Sequence, residues 1–217
     1  MNLLTPTQIT FLQYLKKTPL VKDFYLTGGT ALAAFYLFHR YSFDLDFFTK
    51  DKENIKLEYL LYFLKQTPDI KEVYLEKIHK RRIFTLQWQE ALLKVEFTFY
   101  PYKNIAPLQK REGIFVNSLE DIFVNKLLAL ADREETKDLI DVYFILKEKG
   151  LDFLLFGLKE AQKKFGIRGI EFIVQRKFLN LPEKIEDVPY LIKPLLDFKA
   201  FLKEAAVLIA QAYWKNL

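Results

Sequence analysis

Two short motifs carry the side chains best suited to chemistry: Gly28-Gly29-Thr30 and, fourteen residues beyond Thr30, Asp44-Leu45-Asp46. Glycine accepts backbone angles that other residues resist, and it lets a ligand approach the main chain. A helix opening at such a turn directs unpaired N–H groups and a partial positive charge at an anion. Two aspartates two positions apart on a strand share one face and stand roughly 7 Å apart along it, close enough to hold one or two divalent ions. A phosphate cradle coupled to a carboxylate pair suggests nucleotide chemistry.

These residues need a strand, a turn, a helix and a second strand to position them. Asp23-Phe24-Tyr25-Leu26 reads as a short strand, Thr27-Gly28-Gly29 as a tight turn, and Thr30 to about Phe38 as an Ala- and Leu-rich helix. Ser42 to Phe48 alternates like a strand, with Asp44 and Asp46 on one face and Phe43, Leu45 and Phe47 pointing into the core. Three further runs, about 72–78, 83–88 and 92–100, predict an antiparallel meander. In the last, Leu93, Val95, Phe97 and Phe99 take one face and Lys94, Glu96, Thr98 and Tyr100 the other. Glu96 is then either a third carboxylate for the site or a solvated partner of Lys94.

Helices flank this sheet. Thr7 to about Lys17 opens the chain with Ile9, Phe11, Leu12 and Leu15 as its apolar stripe, and about 53–65 forms a second helix carrying Leu57, Leu60, Leu61 and Leu64. Pro101 to Asn117 reads as a loop around Ile114-Phe115-Val116 and marks the end of the sheet-bearing half, residues 1–117. Residues 118–217 read as helical. Ser118 with Asp121 makes a capping box for a helix to about Asp132, Thr136 caps another to about Lys149, and Gly150 stops it. Asp152–Lys164, Arg168–Phe178 and Pro194–Trp214 complete that half, with breaks at Gly166, Leu181-Pro182 and Val188-Pro189.

Composition narrows the class. A chain of 217 residues, 51% hydrophobic and 28% charged, is an ordinary globular protein able to bury a substantial core. It has no cysteine, which excludes disulfides and thiolate metal sites and suits a reducing cytoplasm, and its two histidines cannot build a multi-His zinc site. Met1 to Pro6 lacks the basic start and apolar stretch of a leader, and no run reaches membrane-span length. A net charge of +5 and a pI near 9.1 favour approach to polyanions, or describe only a solvated lysine-rich surface. His79-Lys80-Arg81-Arg82 and Tyr100-Pro101-Tyr102 offer phosphate attraction and base stacking to RNA, or are a soluble hairpin turn and a strand end.

A Gly-Gly turn, a following Asp-x-Asp and a distant third carboxylate in this order resemble the nucleotidyltransferase superfamily. The resemblance narrows to the AbiEii/AbiGii-type nucleotidyltransferase toxin family. It is carried by Leu26-Thr27-Gly28-Gly29-Thr30-Ala31-Leu32, by His39-Arg40-x-Ser42-x-Asp44-Leu45-Asp46-Phe47-Phe48, and by Lys126-Leu127-Leu128-Ala129-Leu130 leading to Arg133 and Lys137-Asp138-x-x-Asp141. The fold implied is α/β (α+β), a mixed sheet with flanking helices followed by a helical C-terminal half that completes the active-site cleft.

By that resemblance, Asp44, Asp46 and Glu96 are the catalytic and metal-binding residues for Mg²⁺, or Mn²⁺ in its place, with Glu96 alternatively the general base. Gly28, Gly29 and Thr30 would hold the β- and γ-phosphates of a nucleoside triphosphate, and Lys126, Lys137 and Asp138 would bind nucleotide. Lys126, Arg133 and Lys137 are expected to line one side of the helical half, while Asp138 and Asp141 bind nucleotide or hold Arg133 or Arg40. Arg40 and Ser42 either reach the nucleotide or orient Asp44, and His39 is a supporting or surface residue. The expected reaction moves a nucleoside monophosphate to a tRNA or protein hydroxyl, in a toxin with a cognate antitoxin and no membrane partner. The competing reading is an inactive nucleotide- or RNA-binding regulatory module. A phosphatase with an Asp-x-Asp nucleophile fits poorly, because a Gly-Gly turn and helix precede the motif.

Overall fold

The structure, a computed structural model, describes residues 3–88, 90–182, 185 and 190–214. The chain forms two compact units, Met1–Ser118 and Leu119–Leu217.

The first unit is built on a seven-stranded sheet with order β3-β4-β5-β2-β1-β7-β6. Its strands are β1 (Tyr25–Thr27), β2 (Leu45–Thr49), β3 (Ile70–Ile78), β4 (Arg81–Trp88), β5 (Ala91–Phe99), β6 (Gln109–Arg111) and β7 (Ile114–Val116). The meander β3-β4-β5 is antiparallel, β5 runs parallel to β2, and β2 is antiparallel to β1. The stretch 101–117, expected as a loop, contributes the β6–β7 hairpin, and β7 joins the sheet parallel to β1. Its three-residue strands are too short for alternation to show in sequence.

One face of the sheet is apolar. Leu26, Leu45, Phe47, Phe84, Leu86, Val95 and Phe97 are buried on it, with Phe97 stacked on Phe47 at 5.4 Å between ring centroids. Helix α1 (Pro6–Leu15) lays Phe11 against Phe47, and α4 (Leu57–Gln66) brings Phe63 to within 5.9 Å of the Phe11 ring. Burying each such ring contributes about 1.5–3 kcal/mol. Thr5 caps α1 in a reciprocal box with Gln8. Phe43, expected in the core, lies before β2 begins and is 44% exposed, because alternation governs a residue's face only where the ladder extends.

The expected strand from Asp23 is shorter and is preceded by a single turn, α2 (Leu20–Asp23). Gly28 starts α3 (Gly28–Leu32), which passes into a π-helical turn, Ala33–Leu37. That turn closes where Phe38, in the left-handed region at φ 52°, donates its N–H to the Ala33 carbonyl at 3.0 Å. Single π turns inside helices recur at functional sites. A 3₁₀ turn, Lys52–Ile55, leads into α4, where a single helix was expected.

The second unit is helical: α5 (Leu119–Asp132), α6 (Thr136–Lys149), α7 (Asp152–Phe165), α8 (Ile170–Leu179) and α9 (Phe198–Trp214). Gly157 of α7 lets that helix approach α5, since a Cβ there would stand 2.3 Å from the Phe123 ring. Glu135, rather than Thr136, is the N-cap of α6, and its side chain makes no cap bond. Gly150 ends α6 at φ 88° and Gly166 ends α7 in the left-handed conformation. Helix α9 starts four residues after the expected Pro194, and the break expected at Val188-Pro189 lies outside the described residues. Among the described residues no helix is long and apolar enough to cross a membrane.

Candidate active site

The face of the sheet opposite the apolar layer carries the expected carboxylates. Register puts Asp46 of β2 directly beside Glu96 of β5, with Thr27 of β1 on its other side. Adjacent strands are about 4.8 Å apart, so the two side chains are neighbours on one face. Asp44 lies one step earlier, just outside β2, and its carboxylate stands 3.6 Å from Lys94 Nζ with both side chains about half exposed.

The glycines are packed against this row. Gly28 has φ +72°, a left-handed angle, and a Cβ built on it would lie 2.3 Å from Asp46 Oδ2. A Cβ on Gly29 would lie 2.6 Å from Arg40 Nη2 and 3.0 Å from Ser42 Oγ. The Gly-Gly turn therefore admits Asp46 on one side and the Arg40–Ser42 segment on the other. Thr30 is buried, and its hydroxyl donates to the Asp44 carbonyl, so it anchors the loop that presents Asp44. Arg40 is buried and donates to the Tyr41 carbonyl at 2.9 Å; His39 is fully buried, which removes its surface reading.

Two residues outside the motifs, Gln8 and Asn117, brace the site. Gln8, fully buried on α1, donates to the Ser42 carbonyl at 3.0 Å while its Oε1 accepts from the Thr5 N–H at 2.8 Å. Thr27 Oγ1 donates to Asn117 Oδ1 at 3.0 Å, tying β1 to the residue after β7. The Gln8 cap was readable as a Thr-x-x-Gln box; its reach to Ser42 was not.

Glu96 is not paired with Lys94. Arg81, at the start of β4, donates Nε to Glu96 Oε1 at 2.6 Å and Nη2 to Oε2 at 2.5 Å, and Thr98 Oγ1 donates to Oε1 at 2.6 Å. The hydrogen bond from Arg81 to Glu96 is the main cause that raises the guanidinium above its ordinary pKa, and the charges of Glu96, Asp46 and Glu76 add to it against the cost of burial. Each carboxylate oxygen has two acceptor positions, so Oε2 keeps one beyond those used by Arg81.

Asp44, Asp46 and Glu96 are oxygen donors of the hard kind that Mg²⁺ prefers, and the missing side chain of Gly28 is what lets the Asp46 carboxylate pack against the turn. The donor chemistry fits such an ion, with Asp44 and Asp46 as the pair that would hold it. Among the described residues no three carboxylate or histidine side chains already converge as a ready-made ligand set.

In the helical unit, Lys126 of α5 is 8% exposed and lies between two fully buried aspartates of α6, 2.8 Å from Asp138 Oδ1 and 2.6 Å from Asp141 Oδ2. Arg133 Nε donates to Asp138 Oδ2 at 2.8 Å. Burial pushes the Asp138 carboxyl up, but the Lys126 charge and the hydrogen bonds from Arg133 and Lys126 outweigh it and hold it below its ordinary value. Lys137 is outside this cluster, half exposed and 2.6 Å from Glu135. The three cations thus do not form one basic face: aspartates three apart on α6 draw Lys126 inward, and Arg133 and Lys137 share Glu135. Asp138 thus holds Arg133, one of the partners expected for it.

A mixed sheet bearing an Asp-x-Asp strand beside a third carboxylate, with a Gly-Gly turn against it, defines a nucleotidyltransferase core. Residues 10–216 match the family described as nucleotidyl transferase AbiEii toxin, type IV TA system, and the chain belongs to that family. It is 29% identical over 197 residues to an uncharacterised protein of Aquifex aeolicus (strain VF5), covering 90% of this chain and 82% of that one. Its fold is similar to that of JHP933 from Helicobacter pylori, with a TM-score of 0.59 at 21% identity over 98% of this chain and 96% of the other.

Proposed function

We propose that this enzyme is a Mg²⁺-dependent nucleotidyltransferase that moves a nucleoside monophosphate from a nucleoside triphosphate to a hydroxyl of tRNA or of a protein. The observation that carries the reading is the in-register Asp46–Glu96 pair on adjacent strands, with Asp44 one step away and Gly28 against Asp46. The acceptor hydroxyl attacks the α-phosphorus, the bond from that phosphorus to the bridging oxygen breaks, and pyrophosphate leaves. Asp44 and Asp46 hold the cation, with Mn²⁺ an alternative occupant. When bound, the ion supplies charge neutralisation and Lewis acidity at the phosphate.

Glu96 Oε2 takes the acceptor's proton at its remaining position, while Arg81 and Thr98 fix the carboxylate in place. The main chain at Gly28-Gly29-Thr30 receives the outer phosphates, and Arg40 and Ser42 support the turn from behind. We read the enzyme further as a cytoplasmic toxin with a cognate antitoxin, a reading supported by the toxin–antitoxin family it belongs to.

The test is incubation with each labelled nucleoside triphosphate, Mg²⁺ and total RNA or cell extract, beside Asp46→Ala. Label on RNA or protein from wild type alone supports the reading. No label from either protein, with equal nucleotide binding by both, overturns it in favour of a binding module.

A further inference from the structure

The cluster His79-Lys80-Arg81-Arg82 was legible as a charged hairpin, and His79, at φ +45°, does sit in the turn between β3 and β4. Arg81 does something the hairpin does not require. Its guanidinium spends Nε–H and one Nη2–H on Glu96, and a guanidinium has five N–H donors. The edge bearing Nη1 points away from that two-pronged bond, and the side chain is 46% exposed. An arginine clamped by a carboxylate along one edge is rotationally fixed, so its other edge is a preorganised anion fork rather than a mobile charge.

The location of that fork makes it more than a surface cation. Arg81 pairs across β4–β5 with Thr98, one step from Glu96, and Glu96 is beside Asp46. At the other end of the same row Lys94 stands beside Asp44 with its ammonium half exposed. The three carboxylates are thus bracketed by a cation on each side, on one face of one sheet. A bare carboxylate cluster repels a polyphosphate; bracketing cations reverse the local sign on either flank.

Resting on the nucleotidyltransferase reading, the geometry points to Arg81 as a phosphate-binding residue, whose open edge takes a triphosphate oxygen while its clamped edge positions Glu96. The two duties are separable. If Arg81 only positions Glu96, its removal has no consequence once Glu96 is neutral. If it also binds phosphate, the consequence persists.

The experiment is a calorimetric double-mutant cycle on the full chain, with inorganic tripolyphosphate and with a non-hydrolysable nucleoside triphosphate, in Mg²⁺. It compares wild type, Arg81→Gln, Glu96→Gln and the double variant, with thermal melts to establish folding. Losing a charge-assisted hydrogen bond predicts about a tenfold or greater fall in affinity for both ligands on Arg81→Gln, in the wild-type and in the Glu96→Gln background alike. Binding of the parent nucleoside should not change. Equal affinity of Glu96→Gln and the double variant overturns the proposal and leaves the transferase reading standing. Failure of wild type to bind either phosphate ligand overturns both. A second measurement needs no variant to fold with full stability: in wild type, tripolyphosphate should shift the Arg81 side-chain Nε–H resonance, assigned by its loss in Arg81→Lys, and an unmoved resonance at saturation overturns the assignment.

Discussion

Gly28 and Asp46 occupy mutually dependent positions: a Cβ on the glycine would stand 2.3 Å from Oδ2 of the aspartate and 3.1 Å from its Cγ. The motif spacing that looks like two separate devices, a cradle and a metal site, is one packing arrangement. Gly28→Ala therefore incurs about 1–2 kcal/mol for the left-handed backbone angle, and it displaces Asp46 as well. Denaturant titration should show that loss of stability, and nucleotidyl transfer should fall towards the level of Asp46→Ala. A variant as active as wild type would mean that Asp46 can turn aside without cost.

Gln8 connects α1 to the loop before β2 through the Ser42 carbonyl. Gln8→Ala removes that bond and half of the capping box, for about 1–2 kcal/mol of stability. Thr5→Ala breaks the cap, for about 1 kcal/mol, and leaves the Ser42 contact alone. Transfer activity measured below both melting transitions should drop for Gln8→Ala and stay near wild type for Thr5→Ala.

Lys126 neutralises two buried aspartates, and removing one partner of a buried ion pair costs about 3–5 kcal/mol. Lys126→Ala should destabilise the protein by that amount in urea unfolding. Lys126→Met combined with Asp138→Asn and Asp141→Asn, which leaves no orphaned charge, should recover much of it. If the single and triple variants are equally unstable, charge compensation is not what holds α5 to α6.

The same cluster sets an acid limit. Asp138 has a folded-state pKa below its unfolded value, so its stabilising contribution is complete above the unfolded carboxylate pKa of about 3.9 and is lost as pH falls through the lower folded value. Stability measured from pH 6 downward should decline below about pH 4. Asp138→Asn should be less stable at neutral pH and show a shallower acid slope. An unchanged slope would assign the acid sensitivity to other carboxylates.

Much of the candidate site's face was readable in the residues. Strict alternation from Leu93 to Phe97 assigns Glu96 to the polar side, and Leu45 and Phe47 bracket Asp46 on the opposite face, since a strand's period of two needs no knowledge of its neighbours. Which side chains then meet depends on register. Lys94 was the near neighbour of Glu96 in sequence, yet the parallel β2–β5 ladder sets Lys94 by Asp44, and the antiparallel β4–β5 ladder delivers Arg81 to Glu96. The inward turn of Lys126 was hidden for a related reason. Helical spacing describes positions around one axis, while its partners lie on a second helix beyond a break.

The parallel pairing of β2 with β5 also fixes when the row of carboxylates can exist. Asp46 and Glu96 are fifty residues apart in the chain, and β5 must be made and must dock beside β2 before they meet. Long-range pairings of this kind are slow to close. A growing chain still held on the ribosome with β5 inside the exit tunnel has both aspartates and the glycine turn but no third carboxylate. Completion of β5 is thus a precondition for the assembled row of carboxylates, set by the order of synthesis.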